Sequence, residues 1–231
     1  MPLPTAPPGL AGTRAALHRV AEKVVSARRV EATGNEIALT VRAGGFATPD
    51  LPDGGWVGVS GADLVVADAT GETRLHPLSS LRDAGRAAGL REPDALDDAP
   101  LGVDPAAAAF LSTVYVLAAE ALGVLHAEAR PEWDPSPVRL WPEHFDIAFD
   151  QGAEADGARA GYGVSPGDDE HPEPYAYAGP WASPPPGDAA LWNATGFTGA
   201  QLEWSSLAAA ADPVAELLRF WRARRDVLTG S

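Results

Sequence analysis

The chain has no cysteine, a single lysine (Lys23) and a single methionine among 231 residues. Without cysteine there is no disulfide, no thiolate metal site and no cysteine nucleophile. The sequence also has no GxSxG elbow, no GxxxxGK[ST] phosphate loop and no GxGxxG behind a strand. The serine-hydrolase, nucleotide-hydrolase and Rossmann classes therefore lack their motifs, and no cofactor is indicated. Gly161-Tyr162-Gly163 is too short to count as a glycine-rich loop. No segment reads as long enough for a membrane span. The opening MPLPTAPPGLAGTR has no basic region followed by an apolar run, so it does not read as a signal peptide. These absences place the protein in the cytoplasm as an expectation.

Positive charge is scarce as well: 17 Lys and Arg face 32 Asp and Glu, a formal net charge of −15. Such a field repels phosphate backbones and anionic lipid, so neither nucleic acid nor a membrane surface is an expected partner. Acidity leaves solubility, cation binding or a basic partner. What is abundant is apolar residues at 45%, with seven Trp, 22 Pro and 24 Gly. That composition belongs to a globular chain with many punctuated loops.

Residues 1–10 are Pro-rich and expected to be loose. From Arg14 to Arg29, Ala16, Leu17, Val20, Val24 and Val25 recur at helical spacing, with Thr13 as the expected N-cap. Ile37, Leu39 and Val41 alternate with polar neighbours, as a half-buried strand requires. Short strands follow at 56–59, 64–67 and 73–76, separated by turn residues, and predict an antiparallel meander. A short helix is expected from Ser79 or Ser80 to Gly89. Residues 91–104 form a polar linker and the best internal sub-boundary. Asp104-Pro105 is a strong helix start, and the apolar run to Glu128 predicts a central buried helix. Beyond it, Val138 to Phe149 predicts extended chain, with Ala158–Val164 as its hairpin partner. Tyr175–Ala178 alternates as a strand. Ala190–Asn193 and Gly199–Leu202 are weaker extended candidates. Asp212-Pro213 opens a terminal amphipathic helix.

The unusual chemistry concentrates in residues 135–181. In WPEHFDIAFD, His144 and Asp146 would share one face of a strand, as a base with its orienting acid or as two metal ligands. In DDEHPE, four carboxylates surround His171; oxygen-rich loops hold hard cations, but no calcium-loop or HExxH spacing is present. Alternation puts Tyr175 and Tyr177 on one strand face, where they could line a cleft. Residues 131–200 carry 12 acidic against two basic side chains, so this half should attract cations. The candidate catalytic residues are His144, Asp146 and His171. The candidate ligand-binding residues are Trp141, Glu170, Glu173, Tyr175, Tyr177 and Trp181. No metal set is defined.

The order of elements, with PSPVRLWPEHFDIAFD and later PEPYAYAGPW, resembles a group of bacterial proteins of unknown function, common in actinobacteria. These share an SPV…FD segment followed by PxPYxYxxP. The matching residues here are Ser136, Pro137, Val138, Phe145, Asp146, Glu173, Pro174, Tyr175 and Tyr177. The resemblance implies the same fold and favours Asp146 over His144, but carries no established activity. The expectation is one compact α+β domain, residues 11–231, with antiparallel strands against three main helices. It would bind a small polar or cationic ligand, with or without a divalent metal, in an acidic, aromatic-lined cleft. The competing reading is a non-catalytic interaction domain that uses its acidic face.

Overall fold

The computed structural model describes residues 3–35 and 38–230. It is an α+β protein, as expected, with two antiparallel sheets and helices packed on them. The chain divides into two compact units. One holds residues 6–116 with 140–145; the other holds 117–139 and 146–230 with the N-terminal residues 3–5.

The first unit is built on the meander β1 (Thr40–Arg42), β2 (Gly45–Ala47), β3 (Trp56–Ser60), β4 (Asp63–Ala67) and β5 (Thr73–Pro77), in that order. Of the expected strand around Ile37, Glu36 and Ile37 lie outside the described residues. Leu39 makes an isolated bridge to Leu140. Strand β2 had no alternation to announce it. It fits beside β3 because Gly58 lacks a side chain: a Cβ there would meet the Ala47 Cβ at 2.4 Å and the Phe46 carbonyl at 2.5 Å.

Helix α1 (Leu10–Val20) runs through a π-helical stretch, Ala21–Ser26, into α2 (Ala27–Thr33). Thr13 is not its N-cap. The helix begins four residues earlier than expected, after Gly9 in the left-handed region, and the Thr13 hydroxyl instead accepts the Asp104 N–H at 2.9 Å. Helix α3 (Leu81–Ala88) is capped by Ser80, whose side chain accepts the Asp83 N–H. Residues 91–104 are tied back onto α3 through Arg82–Asp98 at 2.9 Å, Arg86–Asp94 at 2.6 Å and the Leu101 N–H to Ser79 carbonyl bond at 2.9 Å.

Phe145 is the centre of this unit's aromatic core. It is 1% exposed, stacks parallel to His18 at 5.3 Å and meets Phe46 and Tyr115 edge-on at 5.3 and 5.5 Å. Its φ of +56° is costly for a residue with a Cβ. Ring packing and the Tyr115 hydroxyl, which donates to the Phe145 carbonyl at 2.6 Å, offset that cost.

Helix α4 (Pro105–Ala127) gives residues 105–116 to the first unit and 117–127 to the second. At 23 residues, with an 18-residue window of mean hydropathy 1.8, it does reach the length and apolarity of a membrane span, contrary to the sequence expectation. Half of that window is buried inside the protein.

The second unit carries the strands ordered β10-β9-β8-β7, formed by β7 (Asp146–Gln151), β8 (Ala160–Ser165), β9 (Tyr175–Pro180) and β10 (Ala200–Glu203); of β6 (Arg139–Trp141) only Arg139 belongs to it. The β7–β8 hairpin and the strand near Gly199 match expectation. Residues 190–193 do not: Asp188 accepts the Ala190 N–H and starts a 3₁₀ turn, Ala189–Leu191, in place of a strand. Helix α5 (Trp204–Ala209) was not foreseen. Helix α6 (Pro213–Thr229) begins as the Asp-Pro pair predicted, with Asp212 accepting the Ala215 N–H at 3.0 Å.

Strand alternation sorts this sheet into two faces. Ile147 and Phe149, Tyr162 and Val164, and Ala176 and Ala178 point to the core, where His126 meets Phe149 at 5.3 Å. Trp221 of α6 donates its indole N–H to the Tyr177 carbonyl at 2.9 Å. Glu128, just past α4, pairs with Arg222 and, at 2.8 Å, with Arg225 of α6. The opposite face presents Asp146, Ala148 and Asp150, then Gly161, Gly163 and Ser165, then Tyr175 and Tyr177.

Asp104 caps α4 by accepting the Ala107 N–H at 2.8 Å. Asp104→Ala should therefore lower unfolding free energy by about 1 kcal/mol, measured as a shift in urea midpoint with unchanged slope.

Candidate functional site

The outer face of the second sheet holds the polar chemistry, and its geometry starts from a gap. On β8, Gly163 pairs with Ala148 of β7 and Tyr177 of β9. A Cβ on Gly163 would lie 2.5 Å from the Tyr177 hydroxyl and 2.6 Å from its ring. Through that gap the Tyr177 ring lies flat across β8 and donates its hydroxyl to Oδ2 of Asp146 on β7. Burial, then the Asp146 charge, pushes the Tyr177 phenol far above its usual range, so it stays a donor at any ordinary pH. Asp146 itself is 8% exposed.

Tyr175, two residues earlier on the same face, donates to Asp168 Oδ2 at 3.0 Å. Burial is the first cause that pushes its phenol up to about 12, and Asp168 adds to it. Asp168 organises the following turn: its Oδ1 accepts the N–H groups of Glu170 at 2.8 Å and His171 at 2.7 Å. It also faces His171 Nδ1 at 3.3 Å. Burial works against the Asp168 charge, but the bonds from His171, Tyr175 and Glu170 outweigh it and hold the carboxyl below the usual range. The His171 ring packs on Tyr175 at 4.6 Å, and its Nε2 lies 3.3 Å from the Thr195 hydroxyl.

Phe197 completes the group. The ring centroids of Tyr175, Tyr177 and Phe197 stand 6.5, 6.4 and 6.4 Å apart, a nearly equilateral triangle. Asp146 and Asp168 sit at the hydroxyl ends of its two tyrosines.

Of the sequence candidates, Asp146, His171, Tyr175 and Tyr177 thus lie in one connected group on one unit. His144 does not share a strand with Asp146. Residues 142–145 form a turn through the left-handed Phe145, β7 begins only at Asp146, and His144 is exposed on the turn. The predicted base-and-acid pair on a strand face is therefore corrected. Trp141 is half-buried in β6. Glu170 and Glu173 are exposed, with Glu170 Oε2 close to Gly196.

Trp181 is 57% exposed at the far end of β9. It covers the Arg159 guanidinium at 5.0 Å beside a cavity of about 240 Å³ lined also by Glu154, Gly157 and Ala182. Nearby Asp150 is raised above the usual carboxylate range by burial, partly offset by Arg159 and a bond from Trp181.

Sequence reasoning missed Thr195 and Phe197, which lie in a stretch without periodicity, and the role of Gly163. A GYG between alternating strands, opposite a YAY, was the available signal.

Among the described residues no three His, Asp or Glu side chains converge as a metal-ligand set. No protein-family model, curated protein or solved structure matches the chain.

Two outcomes test this geometry. Gly163→Ala should cost about 1–3 kcal/mol by forcing Tyr177 out of the gap, and Tyr177→Phe about 1.5–3 kcal/mol by leaving the buried Asp146 without its phenol donor. Both are read by urea denaturation. The folded-state pKa of Asp168 is depressed below its ordinary 3.8. Its contribution is therefore fully present above that value and lost as pH falls through the lower, folded-state pKa. Amide-exchange protection at Glu170 and His171 should hold down to about pH 4 and drop below it; loss of protection between pH 5 and 7 would contradict the assignment.

Proposed function

We propose that the outer face of the second sheet binds a small organic cation, an ammonium or methylated ammonium group, over the Tyr175–Tyr177–Phe197 triangle. The observation that carries this reading is the ring triangle with a carboxylate at each of its two phenol ends. A cation seated above the triangle's centre would be about 4–5 Å from each centroid, inside the ~6 Å reach of cation–π attraction. Asp168, partly open to water and held ionised by its donors, supplies negative charge at the rim. Among the described residues no Arg or Lys pairs with Asp169, Glu170 or Glu173, so the local field is not neutralised by the protein's own cations. A divalent metal is the less supported occupant, since the oxygen and nitrogen donors here do not gather into a ligand set.

A second reading, docking of a basic protein segment, is supported by the exposed Glu154, Asp156, Asp169, Glu170 and Glu173. Kinship with the actinobacterial group of unknown function, and a cytoplasmic location for a cysteine-free acidic chain, belong to the same proposal.

Titration with tetramethylammonium, followed by ring-proton NMR, should perturb Tyr175, Tyr177 and Phe197 together at millimolar concentrations. Phe197→Ala should weaken the effect at least threefold. Perturbation spread evenly over acidic surface loops, and abolished by about 0.3 M sodium chloride, would favour the docking reading instead.

A further inference from the structure

We propose that Thr195, His171 and Asp168 form a nucleophilic triad that hydrolyses a small ester. The polarity of the line follows from what each group can do. A carboxylate can only accept, so His171 Nδ1 must carry the proton directed at Asp168 Oδ1, 3.3 Å away. In the neutral imidazole that leaves Nε2 bare, and Nε2 is the atom 3.3 Å from the Thr195 hydroxyl. The Thr195 proton therefore points at the base. Both separations are the loose distances of a nucleophile–base–acid arrangement before substrate tightens it.

Each of the three groups also has an anchor besides the Thr195–His171–Asp168 line itself. Asp168 is fixed by the N–H groups of Glu170 and His171 and by the Tyr175 hydroxyl. The His171 ring is clamped on Tyr175 at 4.6 Å, with its side chain 12% exposed. Thr195 is anchored through its own N–H to Gln201 Oε1 at 3.1 Å, on strand β10, while its side chain faces solvent. A base that is mostly covered and a hydroxyl that is accessible is the division a hydrolytic site needs. Asp168 acts as a positioning residue; Thr195 and His171 are the catalytic residues.

The chemistry balances without any further reactant than water. Thr195 Oγ forms a bond to the ester carbonyl carbon as His171 Nε2 takes its proton. The tetrahedral adduct collapses, the bond from carbon to the alcohol oxygen breaks, and His171 returns the proton to that leaving oxygen. Water then attacks the threonyl ester, gives its proton to His171, and Thr195 Oγ leaves with that proton while the acid is released. Gly196, in the left-handed region directly after Thr195, reverses the chain there.

The activity stands on this line alone. A preference for esters carrying an ammonium group rests on the binding reading above.

The test uses the full chain with 3,3-dimethylbutyl acetate as a neutral ester and acetylcholine, its quaternary-ammonium isostere, as the cationic one. Hydrolysis of the neutral ester should fall at least a hundredfold in Thr195→Ala and in His171→Gln, and Thr195→Ser should retain it. Asp168→Asn should lower the rate and move the acid limb of the pH profile, with circular dichroism confirming the fold. A fluorophosphonate probe should add to Thr195 and nowhere else by peptide mass mapping. Wild-type rates in Thr195→Ala, or a probe adduct at another residue or at none, overturn the triad. Equal use of the two esters, with the triad results intact, overturns only the cation reading.

Discussion

The structure of the second unit depends on one side chain being allowed to lie down. Tyr177 on β9 reaches Asp146 on β7 by crossing the strand between them, and it can do so because position 163 has no Cβ. A carboxylate as buried as Asp146 would be expensive without a strong donor. The phenol supplies one, and the low polarity that makes the acid costly also keeps the phenol protonated. The bond, the glycine gap and the burial are mutually dependent. Once Tyr177 is pinned, its ring becomes a fixed wall, Tyr175 stands beside it, and Phe197 closes the third side. The backbone of the same residue is held from the other face by Trp221, so side chain and main chain of one tyrosine join the helix layer to the polar face.

Much of the fold was legible because its signals are local. The two Asp-Pro helix starts, the Ser80 cap and the meander between residues 56 and 77 each follow from a few neighbouring residues, and each is present. What failed, failed where a distant partner decided the outcome. Thr13 has the chemistry of an N-cap but is used by Asp104, far along the chain. Residues 190–193 look extended, yet Asp188 captures a backbone N–H and turns them. His144 and Asp146 are two apart in a segment that alternates. The alternation breaks because packing of Phe145 against His18, Phe46 and Tyr115 holds that residue in a left-handed conformation. Periodicity does not record such an override.

The candidate group was half legible for the same reason. Tyr175 and Tyr177 share a face by the two-residue repeat, and Asp146, as the start of β7, was within reach of the same logic. Thr195 and Phe197 belong to an irregular segment that joins the group only after β10 has paired with β9. The glycines of GYG looked too short to matter as a loop. They matter as strand residues, because their value is the absence of bulk beneath a ring on the neighbouring strand.

The two aspartates of the group show how environment separates like residues. Asp146 is nearly sealed, and its phenol partner locks the platform; it lacks the access a reacting group needs. Asp168 is partly open to water and collects N–H donors from its own turn, a phenol and an imidazole around one carboxylate. That concentration of donors keeps it ionised, so it can hold His171 in a single tautomer. The consequence passes through the ring: fixing the proton on Nδ1 exposes the lone pair of Nε2 toward Thr195. A buried acid that builds a wall and an open acid that sets a proton's position are different uses of one side chain, chosen by what each strand and turn brings next to it.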